Sequence, residues 1–133
     1  MSIYGQESNK DTTEEPPRYQ EYSECVRDLL LDSEHEKLIH GEIREIQFLI
    51  ERKENCELQS PISRRISLRY LELGDTDYDG LGIGDESSKK EVFKKGLIWA
   101  LKAVSEDSTN HLNYENLSMA YAATITVSGL RRK

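Results

Sequence analysis

The chain has 133 residues and a formal net charge of −7, which fits one ordinary domain and argues against a general nucleic-acid binder. A polyanion is held by clustered Lys and Arg that displace its counterions. The basic clusters here are short (Arg64-Arg65, Lys89-Lys90, Lys94-Lys95 and Arg131-Arg132-Lys133), and most sit beside carboxylates. No stretch approaches the roughly 18 apolar residues of a membrane span. The N-terminus lacks the basic start and apolar run of a secretory signal, so the expected setting is intracellular and cytoplasmic. Cys25 and Cys56 have no metal-ligand spacing and are expected there as reduced thiols.

Residues 1–21 show no periodic apolar pattern and are rich in Glu, Ser, Thr, Asn and Pro. Such a segment buries too little apolar surface to offset the entropy of ordering it. The expectation is a disordered acidic tail followed by a single small folded domain over 22–133. From Tyr22 the pattern changes. Val26, Leu29 and Leu30 fall at helical spacing, and Leu38, Ile39, Ile43, Ile46, Leu49 and Ile50 then form one apolar stripe that calls for burial. Two antiparallel helices, or one long helix kinked near residue 33 or Gly41, both satisfy this pattern.

Ser60-Pro61 reads as a helix start, with Ile62, Ile66, Tyr70 and Leu73 on one face and Gly74 as its stop. The alternation Ile66, Leu68, Tyr70 keeps a strand at 65–73 open. Residues 74–87 read as a loop. Ser88 with Glu91 then forms a capping box for a helix carrying Val92, Phe93, Leu97, Ala100, Leu101 and Val104. Over 117–127, Leu117, Met119, Tyr121, Ala123, Ile125 and Val127 alternate with small residues. That period of two favours a strand, with a helix over 113–123 as the competitor. A strand there needs the 65–73 segment or a second subunit to pair its backbone, which makes a homo-oligomer an expectation. The fold class expected is α+β, a predominantly helical small domain with short β elements.

No constellation supports catalysis, and none calls for a cofactor other than calcium. His35 and His40 are five apart and so point about 140° from each other around a helix. There is no phosphate loop and no nucleophile elbow. Asp75-x-Asp77-x-Asp79-Gly80-x-x-x-x-x-Glu86 places three carboxylates, the Leu81 carbonyl and a terminal Glu at the spacings a Ca²⁺ ion requires. Over about thirty residues it resembles a single EF-hand, which implies a calcium site at Asp75, Asp77, Asp79, Leu81 and Glu86. The loop departs from that family in having Gly82 where an aliphatic residue pairs neighbouring hands. Arg64-Arg65-Ile66-Ser67 has the basic residues upstream of a serine that a basophilic kinase reads, making Ser67 a candidate phosphorylation site.

Pro16-Pro17-Arg18-Tyr19 carries the most weight. Two prolines pre-set the polyproline II conformation, so docking loses little entropy. The four residues are similar to the PPxY class of WW-domain ligands, which implies a partner-binding set of Pro16, Pro17 and Tyr19. PPxY near an N-terminus also resembles the late-domain motifs of enveloped-virus matrix proteins, which recruit HECT-type ubiquitin ligases. The function expected is a non-catalytic adaptor, or a viral matrix or accessory protein that would be virion-associated. Its tail would engage a WW-domain partner and its folded domain a second protein or itself.

Overall fold

The computed structural model describes residues 22–76 and 86–130, and every regular element among them is helical. In chain order these are α1 (Glu24–His40), α2 (Glu42–Arg52), a 3₁₀ turn (Lys53–Asn55), α3 (Ser60–Thr76), α4 (Glu86–Glu106) and α5 (His111–Leu130). The short β elements of the α+β expectation are overturned for the described residues: 65–73 lies inside α3 and 113–127 inside α5. The reason is visible in what α5 buries. Asn113, Asn116 and Ala120 are its buried positions, spaced three and four apart as one face of a helix requires. The large residues of the alternating pattern, Met119, Tyr121 and Ile125, are exposed. With no strand to pair, the strand-based reason for self-association falls away.

Helix α1 opens on Ser23, whose hydroxyl oxygen accepts from the Val26 backbone N–H at 3.3 Å, and Glu24 favours the positive helix end. The chain breaks at Gly41, whose φ of +94° suits glycine and few other residues. Gly41 N–H donates to Lys37 O, closing α1, and its carbonyl accepts from Glu45 N–H, opening α2. Of the stripe expected to be buried, only Ile46 and Leu49 are; Leu38 is 84% exposed, and Ile39, Ile43 and Ile50 also face outward.

Helix α3 touches all four other helices. Val26, Leu29, Leu30, Ile46, Leu49, Ile62 and Ile66 form one core cluster, while Leu71, Phe93, Ala100 and Ala120 form a second on the far side. Gly74 does not stop α3, which runs on to Thr76. A Cβ on Gly74 would lie 2.7 Å from the Phe93 ring, and one on Gly96 would lie 2.8 Å from Leu71 Cδ2. These glycines let α3 and α4 approach closely along an antiparallel seam. Ser67 Oγ crosses it to donate to Gly96 O at 2.7 Å. Helix α4 starts at Glu86, two residues before the expected cap at Ser88.

Cys25 and Cys56 are joined by a disulfide across 31 residues, which corrects the expectation of reduced thiols. The bond ties the first turn of α1 to the segment that follows the 3₁₀ turn. Cys56 is buried within the first core cluster, and Cys25 is exposed.

The seam predicts that Gly96→Val is destabilising although valine is the better helix former. The added methyls meet Leu71 and the Ser67 carbonyl, and overpacking of this kind costs about 1–3 kcal/mol. Urea unfolding of the two chains measures the difference, and equal midpoints would show that the helices part without cost.

Candidate functional site

The interior of the bundle is unusually polar, and its charges are arranged on α3. Glu45, in α2, is completely buried. Its Oε1 accepts from Arg69 Nε at 2.6 Å, and its Oε2 lies 3.7 Å from Arg65 Nη1. The Ser33 hydroxyl, 2.8 Å from Leu30 O and 3.0 Å from Glu45 Oε2, shares its proton between them. Arg65 reaches outward to Glu34 at 3.5 Å and Arg69 to Glu72 at 3.1 Å. The result is an alternating row, Glu34–Arg65–Glu45–Arg69–Glu72, spanning α1, α2 and α3. Burial alone would lower the Arg69 pKa, but the bond to Glu45 and the charges of Glu45 and Glu72 raise it above the ordinary guanidinium value. Burial raises the Glu42 carboxyl and the Tyr70 phenol, with the Lys37 charge opposing the rise at Glu42.

Two further knots gather at one end of the bundle, around the first turns of α3. Lys53 Nζ lies 2.6 Å from Gln59 Oε1 and 2.8 Å from Glu106 Oε2, while Ser63 Oγ donates to Glu106 Oε1 at 2.7 Å. Arg64 donates to Asn113 Oδ1 at 2.5 Å and to the Tyr22 hydroxyl at 2.6 Å. The Asn113 amide nitrogen lies 3.0–3.3 Å from Asp107 O, Ala103 O and Ser60 Oγ.

Beside this network a groove runs over α3, walled by α1 on one side and α5 on the other. A cavity of roughly 650 Å³ is lined by Tyr22, Leu30 and Glu34 from the α1 side, by Pro61, Arg64, Arg65, Leu68, Arg69 and Glu72 from α3, and by Leu112, Glu115, Asn116 and Met119 from α5. A second cavity of roughly 430 Å³ continues it towards Asp75 and Thr126, sharing Leu68, Glu72 and Met119 with the first. Both Asn116 amide atoms are buried and have no hydrogen-bond partner among the described residues.

Pro16, Pro17 and Tyr19 lie outside the described residues, as do Asp77, Asp79 and Leu81. Asp75 is exposed in the last turn of α3 and lines the second cavity with Lys89; Glu86 is the first residue of α4. Among the described residues no three His, Cys, Asp or Glu side chains stand where they would hold a metal. Ser67 is fully buried against Gly96 O, so the folded chain offers a kinase no access to it. Sequence reasoning noted Arg64 only as a basic residue ahead of Ser67 and gave Glu45, Asn113 and Asn116 no part in a site. The available signal was the spacing of Arg65, Arg69 and Glu72, at i, i+4 and i+7 on one helical face.

Removing one partner of a buried ion pair strands the other charge, at a cost of about 3–5 kcal/mol. Glu45→Gln is therefore expected to lose about 3 kcal/mol of unfolding free energy, because Arg65 and Arg69 keep their burial and lose their shared anion. Glu51→Gln, at the exposed pair with Arg52, is expected to change it by less than about 0.5 kcal/mol. Denaturant titration of both variants makes the comparison. Equal effects would mean that the row is ornamental to stability.

Set against known proteins, the chain matches no family model, no curated protein sequence and no solved structure.

Proposed function

We propose that this chain is a non-catalytic interaction protein that recruits a WW-domain partner, such as a HECT-type ubiquitin ligase, through Pro16-Pro17-Arg18-Tyr19. The observation that carries the reading is the motif itself, complete at all its defining positions. Its position supports the reading. Only Gln20, Glu21 and Tyr22 separate Tyr19 from the Ser23 cap of α1, and Tyr22 is fastened to Arg64. A ligand held there is presented close to the helical domain, whose surface serves a second protein or another copy of the chain. Both a cellular adaptor and a viral matrix or accessory protein use such an arrangement, and the setting proposed is cytoplasmic, with virion association in the viral case. No described helix is long and apolar enough to cross a membrane. A cytoplasmic setting would open the Cys25–Cys56 bond, since disulfides persist in oxidising compartments. The core contacts of α1 and the Tyr22–Arg64 bond then hold that helix in place.

A WW domain grips the proline pair and the tyrosine ring separately. Tyr19→Ala is expected to remove most binding to an isolated WW domain and Pro17→Ala nearly as much, while Arg18→Ala changes little. Phosphorylation of Tyr19 is expected to block docking by placing about two negative charges in an apolar pocket. Titration calorimetry with the full chain reads all four. Undiminished binding by Tyr19→Ala would end the proposal.

A second proposal, calcium binding at 75–86, is supported by one observation: α3 runs past Gly74 to Thr76, and α4 begins at Glu86. Helices therefore flank the loop on both sides, as in an EF-hand. With a dissociation constant near 10⁻³ M, 5 mM Ca²⁺ is expected to stabilise the chain by about 1 kcal/mol. Asp75→Ala or Glu86→Gln is expected to abolish the gain. Superimposable melting curves in Ca²⁺ and in chelator would dismiss the site.

A further inference from the structure

The fold gives its two cysteines unequal access to solvent. Cys56 is 3% exposed and packs within the first core cluster. Cys25 is exposed in the first turn of α1, and the contact of its sulfur with Asn55 O, at 3.5 Å, lies open to solvent. The chain has no other cysteine. The two Cα atoms lie 5.7 Å apart, within the span a disulfide bridges. Each cysteine is also anchored independently of the bond. Val26, Leu29, Leu30 and the Tyr22–Arg64 hydrogen bond hold the start of α1, and its own burial holds Cys56. The sulfurs therefore stay within reach of each other when the bond opens.

Thiol–disulfide exchange runs through a mixed disulfide, formed where a thiolate attacks an accessible sulfur. In an unfolded chain either cysteine can carry that intermediate. In the folded chain a group attached to Cys25 projects into solvent, whereas one attached to Cys56 would have to be seated inside the core cluster. Buried cysteines are inert for this reason. The route is the same in both directions, because closing and opening the bond pass through the same intermediate, with the small thiol on Cys25 and Cys56 free. A solvent-accessible thiol poised beside a resolving cysteine is the arrangement that redox-sensing pairs use.

We propose that Cys25 is a site of reversible modification by low-molecular-weight disulfides of the glutathione class, with Cys56 as the resolving thiol. In oxidation Cys25 loses its proton to solvent and its sulfur attacks glutathione disulfide, forming the mixed disulfide and releasing one glutathione thiolate. Cys56, deprotonated in turn, attacks Cys25 Sγ, closes the Cys25–Cys56 bond and expels the second glutathione. Two electrons pass from the cysteine pair to glutathione disulfide, which leaves as two glutathione molecules. Reduction retraces these steps: a glutathione thiolate attacks Cys25 Sγ, Cys56 leaves, and a second glutathione clears Cys25. This site is separate from the Pro16–Tyr19 motif and stands whether or not that motif binds a WW domain.

The test follows the fully reduced full chain in glutathione disulfide at neutral pH, with acid quenching and mass spectrometry of the intact protein and its peptides. A single glutathione adduct is expected on the Cys25 peptide, giving way to the Cys25–Cys56 disulfide. In Cys56→Ala the same adduct is expected to form and persist. In Cys25→Ala, Cys56 is expected to react about tenfold or more slower than Cys25 does in Cys56→Ala. That difference should vanish in urea that unfolds both chains. The wild-type arm needs neither variant and decides the matter if a substitution prevents folding. A first adduct on Cys56, an adduct on Cys25 that never resolves in the wild type, or no adduct on Cys25 in either the wild type or Cys56→Ala would overturn the proposal. So would equal rates for the two variants in native buffer. A difference that persists in urea also overturns it, because reactivity then belongs to the local sequence and not to burial.

Discussion

Glu45 carries a carboxylate into an interior that solvent does not reach. An unpaired charge there would cost several kcal/mol, so its neighbours must bring compensating donors to it. They come from two other helices: Arg65 and Arg69 from α3, and Ser33 from α1. One anion thereby fixes the relative positions of α1, α2 and α3. It also explains why α3 carries arginines on a face that a simple amphipathic helix would fill with leucine. Two cations on one buried anion would leave an excess of positive charge, and the outer carboxylates Glu34 and Glu72 balance it near the surface. A hydrophobic substitute for the whole row would hold the helices equally well. The charged version differs in tolerating few alternative registers, because a shift of one residue along α3 would break every pair at once.

The second constraint is the closeness of α3 and α4. Small residues line the seam, with Ser63, Ser67 and Gly74 on α3 and Gly96, Ala100 and Ala103 on α4. The large side chains that do enter the seam, Leu71 and Phe93, sit where a glycine of the facing helix leaves space for them, and the other bulky core residues gather on either side. Hence there are two core clusters, one under α1 and α2 and the other between α4 and α5. The hydroxyl of Ser67 meets a helix carbonyl across the seam, which keeps a polar atom satisfied where leucine would not fit.

Much of the helical content was legible from periodicity, and Gly41 was one of the breaks the sequence offered. The errors have physical causes. The period of two over 117–127 is real in the residue order, yet the face that packs is set by Asn113, Asn116 and Ala120, two of which a hydropathy pattern counts as surface. The stripe from Leu38 to Ile50 fails similarly. Gly41 rotates α2 relative to α1, and burial falls on Glu45, Ile46 and Leu49, leaving Leu38 and Ile39 outside. Gly74 was read by its usual role at a helix end, whereas here it supplies space for Phe93. Buried charge was the least legible feature. Glu45 differs from the exposed Glu51 only in what the tertiary fold brings to it, and no local spacing encodes that. The groove shares the difficulty, since its walls come from α1, α3 and α5, which only the tertiary fold brings together.

These features set what the groove over α3 presents at the surface. Pairing the charges of α3 inwards leaves its remaining face to Leu68 and to the space above it, bounded by Leu112 and Met119. The rim of that space retains Glu34, Glu72 and Glu115 together with the edges of Arg64 and Arg69, so a bound segment would meet charge of both signs around an apolar floor. Surfaces built this way combine a desolvated centre with a polar border that excludes wrong partners. Because the arginines are already anchored to Glu45 and Asn113, they lose little further freedom when a ligand arrives. The cost of ordering this surface is met during folding, so a partner docking there would find it already in place.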